Sequence, residues 1–364
     1  MKRRIVILYG GRSAEHEISC VSARSVMDAL DPERYESVPI GITKDGTWHL
    51  MSEPPALPMH GGALPSVRAE RGSEVELDRS PGASSVVSSD GERREIDVVF
   101  PVLHGPYGED GTIQGMLELA GIPYVGAGVM ASALGLDKGV QKVLFRAAGL
   151  PVVRFETVHE REWEQDRDGV LERAQGLGFP LFAKPATLGS SVGISKVHHP
   201  GELAAAMEES FRYATKAVLE TSIEDAREIE CAVLGNDDPA ASLPGEILPS
   251  GEFYDYRSKY LDAATKLVIP AELPEEVVDR VRRMAMGAFR AIDCSGMARV
   301  DFFLRPDGEL LVNEINTIPG FTSVSMYPKL WEVSGLPYAD LIDRLVELAL
   351  ERYERDRKKG IGAT

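Results

Sequence analysis

Short apolar runs and one-sided apolar stretches alternate along the first third of the chain. Residues 4–8 contain a continuous apolar run, and similar runs occupy residues 38–42 and 96–103. Such runs are typical of strands that are buried on both faces of a sheet. After the first run, apolar residues fall on one side of a predicted helix at Ile18, Val21, Val26, Ala29 and Leu30. The order of strand, helix and strand predicts a doubly wound α/β unit over residues 1–126.

Residues 51–94 lack this pattern. They are rich in Pro, Gly, Ser and charged residues and have no sustained apolar period, which predicts loops and short hairpins. The run at residues 96–103 then ends in His104-Gly-Pro-Tyr-Gly-Glu-Asp-Gly111, and the next residues are predicted to form a helix.

From about residue 127 the pattern is that of an α+β protein. Helices are predicted over residues 138–148, 200–211 and 338–353 and after Pro274, and strands over residues 181–183 and 218–220. We expect a central unit over residues 127–225 and a C-terminal unit over residues 226–364.

Charge and cysteine content exclude several classes of protein. The chain has 40 basic and 57 acidic residues, a formal net charge of -17, so its surface would repel a nucleic-acid backbone. The three cysteines are far apart and form no CxxC pair, which argues against a disulfide framework or a structural zinc site. The first residues contain too few apolar positions for a signal peptide or a membrane span. We therefore expect a cytoplasmic protein that binds neither nucleic acid nor membranes.

Two apolar stretches at residues 297–304 and 310–316 flank Asp307-Gly308 and predict a β-hairpin. If those two residues form the turn, Asp301 faces Glu314 and Arg299 faces Asn316. Carboxylates directly opposite each other repel in a sheet, so this pattern favours oxygen ligands for a hard cation such as Mg²⁺. The alternatives are a solvated strand face or a carboxyl pair that shares one proton.

Lys184 ends a predicted strand and is followed by a Gly- and Ser-rich loop through Gly193. Main-chain N–H groups, hydroxyls and a lysine are typical of phosphate sites. The same residues, Gly189-Ser-Ser-Val-Gly193, also match the nucleophile elbow of hydrolases. That elbow requires a helix directly after the serine, whereas residues 194–197 are predicted to be a returning strand. An ordinary hairpin tip remains a further alternative.

A second glycine motif, Gly126-Ala-Gly-Val-Met-Ala131, matches the dinucleotide fingerprint G-x-G-x-x-A. The fingerprint also needs an acidic residue about 20 positions further on, at the end of a strand, but that region falls inside a predicted helix. The chain contains no Walker A sequence, so any ATP would bind elsewhere than in a P-loop.

Five motifs, in the same order, resemble those of the D-alanine–D-alanine ligase family of the ATP-grasp superfamily, over residues 4 to about 336. They are Gly10-Gly-Arg-Ser-Ala-Glu-His-Glu-Ile-Ser19, the segments 104–115 and 184–193, Pro249-Ser-Gly-Glu-Phe-Tyr-Asp-Tyr-Arg-Ser-Lys-Tyr260, and the segment 296–326 with its core Asn313-Glu-Ile-Asn-Thr-Ile-Pro-Gly-Phe-Thr322. The fourth resembles a mobile loop over the site.

The resemblance implies an α/β N-terminal unit followed by a two-part ATP-grasp fold. It also implies an ATP-dependent ligase that forms an acyl phosphate of one D-alanine and joins it to a second D-alanine, for peptidoglycan precursors. Two Mg²⁺ ions, or Mn²⁺, and a homodimer are implied as well. The D-configuration of the substrate rests on the resemblance alone.

The resemblance also assigns roles to individual residues. For metal and nucleotide it implies Asp301, Glu314 and Asn316 as metal ligands, Lys138, Lys184, Lys259 and Ser191 at the phosphates, Glu220 at the adenine and Glu228 at the ribose. For the amino acids it implies a network of Glu15, Ser190 and Tyr260, a substrate contact at His104, oxyanion donors at Arg299 and Gly320, and carboxylate binding by Ser325 and Met326.

Three other functions compete with this interpretation. An ATP-grasp ligase for another acid and amine would use the same hairpin and phosphate loop, although Glu15 and the Tyr260 loop disfavour it. The other two are a nicotinamide-dependent oxidoreductase using residues 126–131 and a nucleotide-binding regulatory protein without turnover.

Overall fold

The computed structural model describes residues 2–56, 64–78, 84–189, 192–248 and 266–359. Within these ranges the chain folds into three β-sheets that are covered by helices. In these ranges no helix is long and apolar enough to cross a membrane.

The first sheet contains seven strands in the order β6-β5-β4-β3-β2-β1-β7. Their bounds are β1 (Arg3–Gly10), β2 (Tyr35–Ile42), β3 (Trp48–Met51), β4 (Gly72–Leu77), β5 (Ser85–Ser88), β6 (Arg93–Glu95) and β7 (Val98–Pro101). Strand β1 lies parallel to β2 and β7, whereas β2 to β6 pair antiparallel. Residues 51–94 therefore add short antiparallel strands to one edge, as their composition predicted.

Helices cover both faces of the parallel strands. Alternate residues of a strand point to opposite faces: Ile5 and Ile7 pack in the same core as α1 (His16–Ala29), and Val6 and Leu8 pack with α2 (Thr112–Leu119). The predicted doubly wound arrangement is thus present at β1, β2 and β7, while the rest of the sheet is antiparallel.

The second sheet has the order β10-β9-β11-β8. It consists of β8 (Phe155–His159), β9 (Leu181–Pro185), β10 (Ser195–Val197) and β11 (Lys216–Thr221), and its helices are α5 (Glu160–Gln165), α6 (Arg167–Leu177) and α7 (Leu203–Phe211). Strand β10 returns antiparallel along β9. A strand, and no helix, follows the Gly-rich loop, so the hydrolase alternative is excluded.

The third sheet has the path β15-β14-β12-β16-β17, and β13 pairs beside β12. Its strands are β12 (Arg227–Gly235), β13 (Ala240–Ala241), β14 (Gly245–Leu248), β15 (Lys266–Val268), β16 (Gly296–Leu304) and β17 (Leu310–Asn316). Helices α3 (Val129–Leu136), α4 (Lys138–Ala147) and α8 (Glu275–Ala291) share its apolar core. The predicted central unit thus contributes α3 and α4 to the core of the third sheet, and the domain boundaries stay a prediction.

The last two helices are α9 (Met326–Val333), whose Tyr327 hydroxyl donates to Val233 O on β12, and α10 (Tyr338–Lys358), and both share an apolar core with the first sheet. Leu341 and Leu345 share a core with Ile5, and Arg34 forms an ion pair with Asp343. Arg352 donates to the carbonyl oxygens of Gly126 and Tyr124. The glycine motif at residues 126–131 is therefore held against the C-terminal helix, which disfavours its use as a dinucleotide loop.

The hairpin of β16 and β17 corrects the predicted turn. Gly308 N–H donates to Arg305 O, and Arg305 N–H donates to Glu309 O, so the loop has three residues instead of two. Leu304 pairs with Leu310 and Phe302 with Val312. A bulge at the next step inserts Asn313 and restores the predicted facing pairs, Asp301 with Glu314 and Arg299 with Asn316.

Candidate functional site

A cleft of about 430 Å³ collects side chains from all three parts of the chain. It is lined by nine of the predicted site residues, namely Glu15, His104, Lys138, Arg299, Glu314, Asn316, Gly320, Ser325 and Met326. Four further predicted site residues lie within the described ranges but do not line it, namely Asp301, Lys184, Glu220 and Glu228. Ser190, Ser191, Lys259 and Tyr260 lie outside the described residues.

Three carboxylates form a row across the third sheet. Glu230 on β12 lies opposite Asp301 on β16, and Asp301 lies opposite Glu314 on β17. Arg299 neutralises part of this charge: its Nε and Nη2 donate to the two oxygens of Asp301 at 2.7 Å, and Nε lies 3.0 Å from Glu230 Oε2. Burial alone would lower the pKa of Arg299, but Asp301 and Glu230 outweigh it and raise that pKa well above its ordinary value.

Lys138 supplies the second positive charge, at the start of α4. Its Nζ lies 3.2 Å from Glu314 Oε2 and donates to Leu188 O at 3.0 Å. Burial alone would lower the pKa of this lysine, but the Glu314 carboxylate outweighs it and raises the pKa. Lys138 therefore links the loop after β9 to Glu314 on β17, one of the predicted metal ligands.

The predicted metal ligands provide two carboxylates and the Asn316 amide on one face of β16 and β17. Oxygen donors of this kind suit Mg²⁺. Within the described ranges no three His, Cys, Asp or Glu side chains are grouped to hold a metal ion. Arg299 and Lys138 instead balance the carboxylates, so metal binding requires Asp301 and Glu314 to exchange these partners. If that exchange occurs, the oxygen donors of Asp301, Glu314 and Asn316 fit Mg²⁺.

Glu220 is fully buried between two lysines. Lys184 Nζ lies 2.7 Å from Glu220 Oε2, and Lys142 Nζ lies 3.2 Å from Oε1. Burial would raise the pKa of Glu220, but the two ammonium groups outweigh it and lower the pKa. The carboxylate therefore positions lysines, and its contact with adenine stays a prediction. Glu228 lies on β12 two residues before Glu230, and its contact with ribose also stays a prediction.

Glu15, which immediately precedes α1, also lines the cleft. Its Oε2 would lie 3.0 Å from a Cβ at Gly105 and 3.3 Å from a Cβ at Gly189. Gly105 also has a φ of +75°, a conformation that glycine adopts without strain. These two glycines let the loop after β7 and the loop after β9 approach the same carboxylate.

His104 has both ring nitrogens engaged. Nδ1 lies 3.1 Å from Ile318 O, which can only accept, so Nδ1 carries the proton and Nε2 accepts from Ser22 Oγ at 3.3 Å. Burial lowers the pKa of His104, although the Glu15 carboxylate acts in the opposite direction. The neutral imidazole thus ties α1 to the segment that carries Gly320.

Glu109 is a buried carboxyl group of the cleft to which sequence reasoning assigned no role. Gly105 N–H donates to its Oε2 at 2.6 Å. Burial, and then the charge of Glu15, raise the pKa of Glu109 from 4.5 to about 8. The only sequence signal was its place in the motif at residues 104–111.

This pKa makes protein stability depend on pH. Between pH 4.5 and about 8 the folded chain holds a proton on Glu109 that the unfolded chain has lost, so the free energy of unfolding falls as pH rises through this window. We expect Glu109→Gln to remove that fall and to gain about 3 kcal/mol relative to the native chain between pH 5.5 and 8.5 in urea denaturation, at 1.36 kcal/mol per pKa unit. The exposed Glu172 provides the control variant, Glu172→Gln. Parallel curves for Glu109→Gln and the native chain would contradict the assignment.

Ser325 immediately precedes α9, so the N-terminus of this helix borders the cleft. Its Oγ makes no bond to the helix; it lies 2.7 Å from Thr322 Oγ1 and accepts from Thr322 N–H at 3.1 Å. A Cβ at Gly320 would lie 3.2 Å from the same oxygen. Because the first N–H groups of a helix lack partners within it, this end of the cleft favours an anion.

Sequence comparison agrees with the site. A family model described as the N-terminus of D-ala D-ala ligase matches residues 4–127, and one described as its C-terminus matches residues 144–347. A D-alanine–D-alanine ligase from Halothermothrix orenii is 52% identical over 351 residues, which cover 96% of this chain and 99% of the relative.

Solved structures show the same similarity. The D-alanine–D-alanine ligase from Coxiella burnetii has a TM-score of 0.87 and 41% identity, covering 98% of this chain and 97% of that one. The VanG D-Ala:D-Ser ligase from Enterococcus faecalis has a TM-score of 0.84 and 34% identity, covering 96% of this chain and 100% of that one. On these matches, the chain belongs to the D-alanine–D-alanine ligase family.

Proposed function

We propose that the protein uses ATP to join two D-alanine molecules, giving D-alanyl-D-alanine, ADP and phosphate. A carboxylate oxygen of the first D-alanine attacks the γ-phosphorus and ADP leaves. The amine of the second D-alanine then attacks the acyl carbon, releasing phosphate and one proton. The observation that carries the proposal is the cleft in which Glu15, the glycine-rich loop at Gly189 and the strand of Glu314 and Asn316 meet.

The phosphoryl-transfer end would be built from α4, β9 and the β16–β17 hairpin. Lys138 and Lys184 would bring positive charge to the transferring group, and Lys259, outside the described residues, would do the same. Asp301, Glu314 and Asn316 would hold the cations. When bound there, two Mg²⁺ ions, or Mn²⁺, would supply neutralisation of the phosphate oxygens.

The amino-acid end would use cleft residues around the start of α1, the loop after β7 and the start of α9. Glu15 would accept the ammonium of the first D-alanine beside neutral His104, and the α9 N-terminus at Ser325 and Met326 would bind the carboxylate of the second. Arg299 and the N–H of Gly320 would stabilise the oxyanion that forms at the acyl carbon. Arg299 must first release Asp301 before it can donate to the oxyanion. Cation binding at Asp301 and the availability of this donor would therefore be coupled.

Other parts of the proposal rest on family membership. Ser190, Ser191 and Tyr260 lie outside the described residues, and their roles at the phosphates and in a loop-closing network follow the family pattern. So do the three-part ATP-grasp architecture, a homodimer and a role in peptidoglycan precursor synthesis. Closure over the site would protect the acyl phosphate from water.

The test is phosphate release from Mg-ATP with D-alanine, L-alanine, or D-alanine together with D-serine or D-lactate. We expect D-alanine alone to stimulate release, with one D-alanyl-D-alanine formed per phosphate, and L-alanine to have no effect. If a mixed product predominates, the second substrate is assigned wrongly. If no amino acid stimulates release, the proposed ligase reaction is wrong.

A further inference from the structure

One face of α4 holds three consecutive residues of β17. Lys138, Gln141 and Lys142 are three and four positions apart and therefore share a helix face. Lys138 Nζ pairs with Glu314 Oε2 at 3.2 Å, Gln141 Oε1 accepts from Ile315 N–H at 2.8 Å, and Lys142 Nζ donates to Asn313 O at 2.6 Å. Glu314 is thus held at its side chain and at the main chain on both sides.

These contacts occur where the third sheet has an edge strand with a bulge. Strand β17 ends the order of the third sheet, and its bulge lies at Asn313. An edge strand presents main-chain groups without strand partners, and a bulge bends the strand and redirects its side chains. The direction of the Glu314 carboxylate therefore depends on what fixes the backbone of residues 313–315.

Both main-chain contacts are buried. Gln141 and Lys142 are each 1% exposed, and hydrogen bonds strengthen where water is excluded. Gln141 is anchored in turn, since its Nε2 donates to Gly135 O at 3.0 Å. Lys142 also pairs with Glu220, which holds Lys184. A continuous chain of contacts therefore runs from Asn313 on β17 to Lys184 near the end of β9.

We propose that Gln141 and Lys142 are positioning residues that fix Glu314 for the metal ion and couple β17 to Lys184. The inference rests on the proposed function, because it takes Glu314 as a ligand. Neither residue contacts a reacting atom, and a purely structural role would affect stability without a selective effect on metal binding.

Asn236 provides a matched control for Gln141. Its amide also makes two main-chain contacts, donating to Leu348 O at 3.0 Å and accepting from the N–H of Gly296, the first residue of β16, at 3.3 Å. Gln141→Leu and Asn236→Leu each remove one donor and one acceptor bond. We would measure Mn²⁺ binding by electron paramagnetic resonance in the presence of the β,γ-imido analogue of ATP, with thermal unfolding and the KM for D-alanine.

We expect Gln141→Leu to weaken Mn²⁺ binding about tenfold, the lower end for residues that support metal ligands, and to leave the KM for D-alanine within about twofold of native. Asn236→Leu should lower thermal stability to a comparable extent and bind Mn²⁺ as the native chain does. Native Mn²⁺ binding by Gln141→Leu, or equal weakening by Asn236→Leu, would overturn the inference for Gln141.

Lys142 is tested by Lys142→Met and by the double variant Lys142→Met/Glu220→Gln. The first change takes one of its two lysine partners from Glu220, and the second removes the charge of that carboxylate. The double variant should regain stability but not Mn²⁺ affinity, because the bond to Asn313 O stays absent. Recovery of both together would show that Lys142 only neutralises Glu220.

A Glu314→Gln reference separates this inference from the proposed function. If Mn²⁺ binding depends on Glu314 but the native chain forms no D-alanyl-D-alanine, the proposed reaction is wrong. The positioning roles of Gln141 and Lys142 are then decided by the variants above alone. If Glu314→Gln binds Mn²⁺ normally, the metal assignment and the positioning roles are both wrong.

Discussion

Glutamine in place of Glu314 is expected to lower kcat about a thousandfold, or about 4 kcal/mol in the barrier. Glu314 lines the cleft, faces Asp301 and lies 3.2 Å from Lys138 Nζ. Its carboxylate would hold a cation at the transferring phosphate, where charge compensation is the main task of the protein. Glutamine keeps the shape of the side chain and removes its charge. The decrease in kcat would therefore result from loss of the charge and not from a cavity.

Steady-state kinetics with saturating ATP, D-alanine and Mg²⁺ check this prediction. Glu309→Gln on the same hairpin is the matched control, because Glu309 is an exposed carboxylate paired with Arg305 at 2.8 Å. We expect it to keep kcat within about twofold, since exposed pairs contribute little. A kcat for Glu314→Gln within tenfold of native would contradict the role of Glu314 as a metal ligand.

The facing of Asp301 and Glu314 could be predicted because it is a local property of one hairpin. The prediction was nevertheless right for an incomplete reason. The turn has one residue more than expected, and the bulge at Asn313 adds one residue to β17 and cancels the difference. Neither the longer turn nor the bulge has a signal in the apolar pattern. The spacing of Asp301 and Glu314 therefore predicted their pairing better than the turn motif did.

Gln141, Lys142 and Glu109 could not be predicted in the same way. A polar residue in a helical pattern indicates a solvent-facing position, yet Gln141 and Lys142 on α4 are buried, and Glu109 is buried in a loop. The partners of the two α4 residues are also distant: Gln141 contacts a residue 174 positions away and Lys142 one 171 positions away. Buried polar groups need partners, but a single sequence does not show which distant strand supplies them.

The same reason limits what the sequence reveals about the arrangement of the units. The apolar stripes of α4 and α10 show that each helix buries one face, and both helices are present at the predicted positions. The stripe does not identify its partner. Helix α4 packs on the third sheet and α10 on the first, and these contacts bring the two walls of the cleft together.

Arg299→Lys should lower kcat by a factor of about one hundred to one thousand, the range for losing one oxyanion donor. The native guanidinium makes two parallel bonds to Asp301 and also contacts Glu230. Lysine keeps the positive charge among these buried carboxylates, so the fold should survive. It lacks the planar fork that can be released from Asp301 and turned toward the reacting carbonyl.

A second bidentate arginine on the same sheet separates this role from charge balance. Arg227 Nε and Nη2 each donate to Glu246 at 2.7 Å, outside the cleft lining. Arg227→Lys should therefore leave kcat within about twofold, since partly exposed pairs contribute little. The substitutions differ in position and not in chemistry. If Arg299→Lys keeps kcat within about threefold, or both variants lose it equally, Arg299 only balances the carboxylate row, because loss of an oxyanion donor would reduce kcat at that position alone.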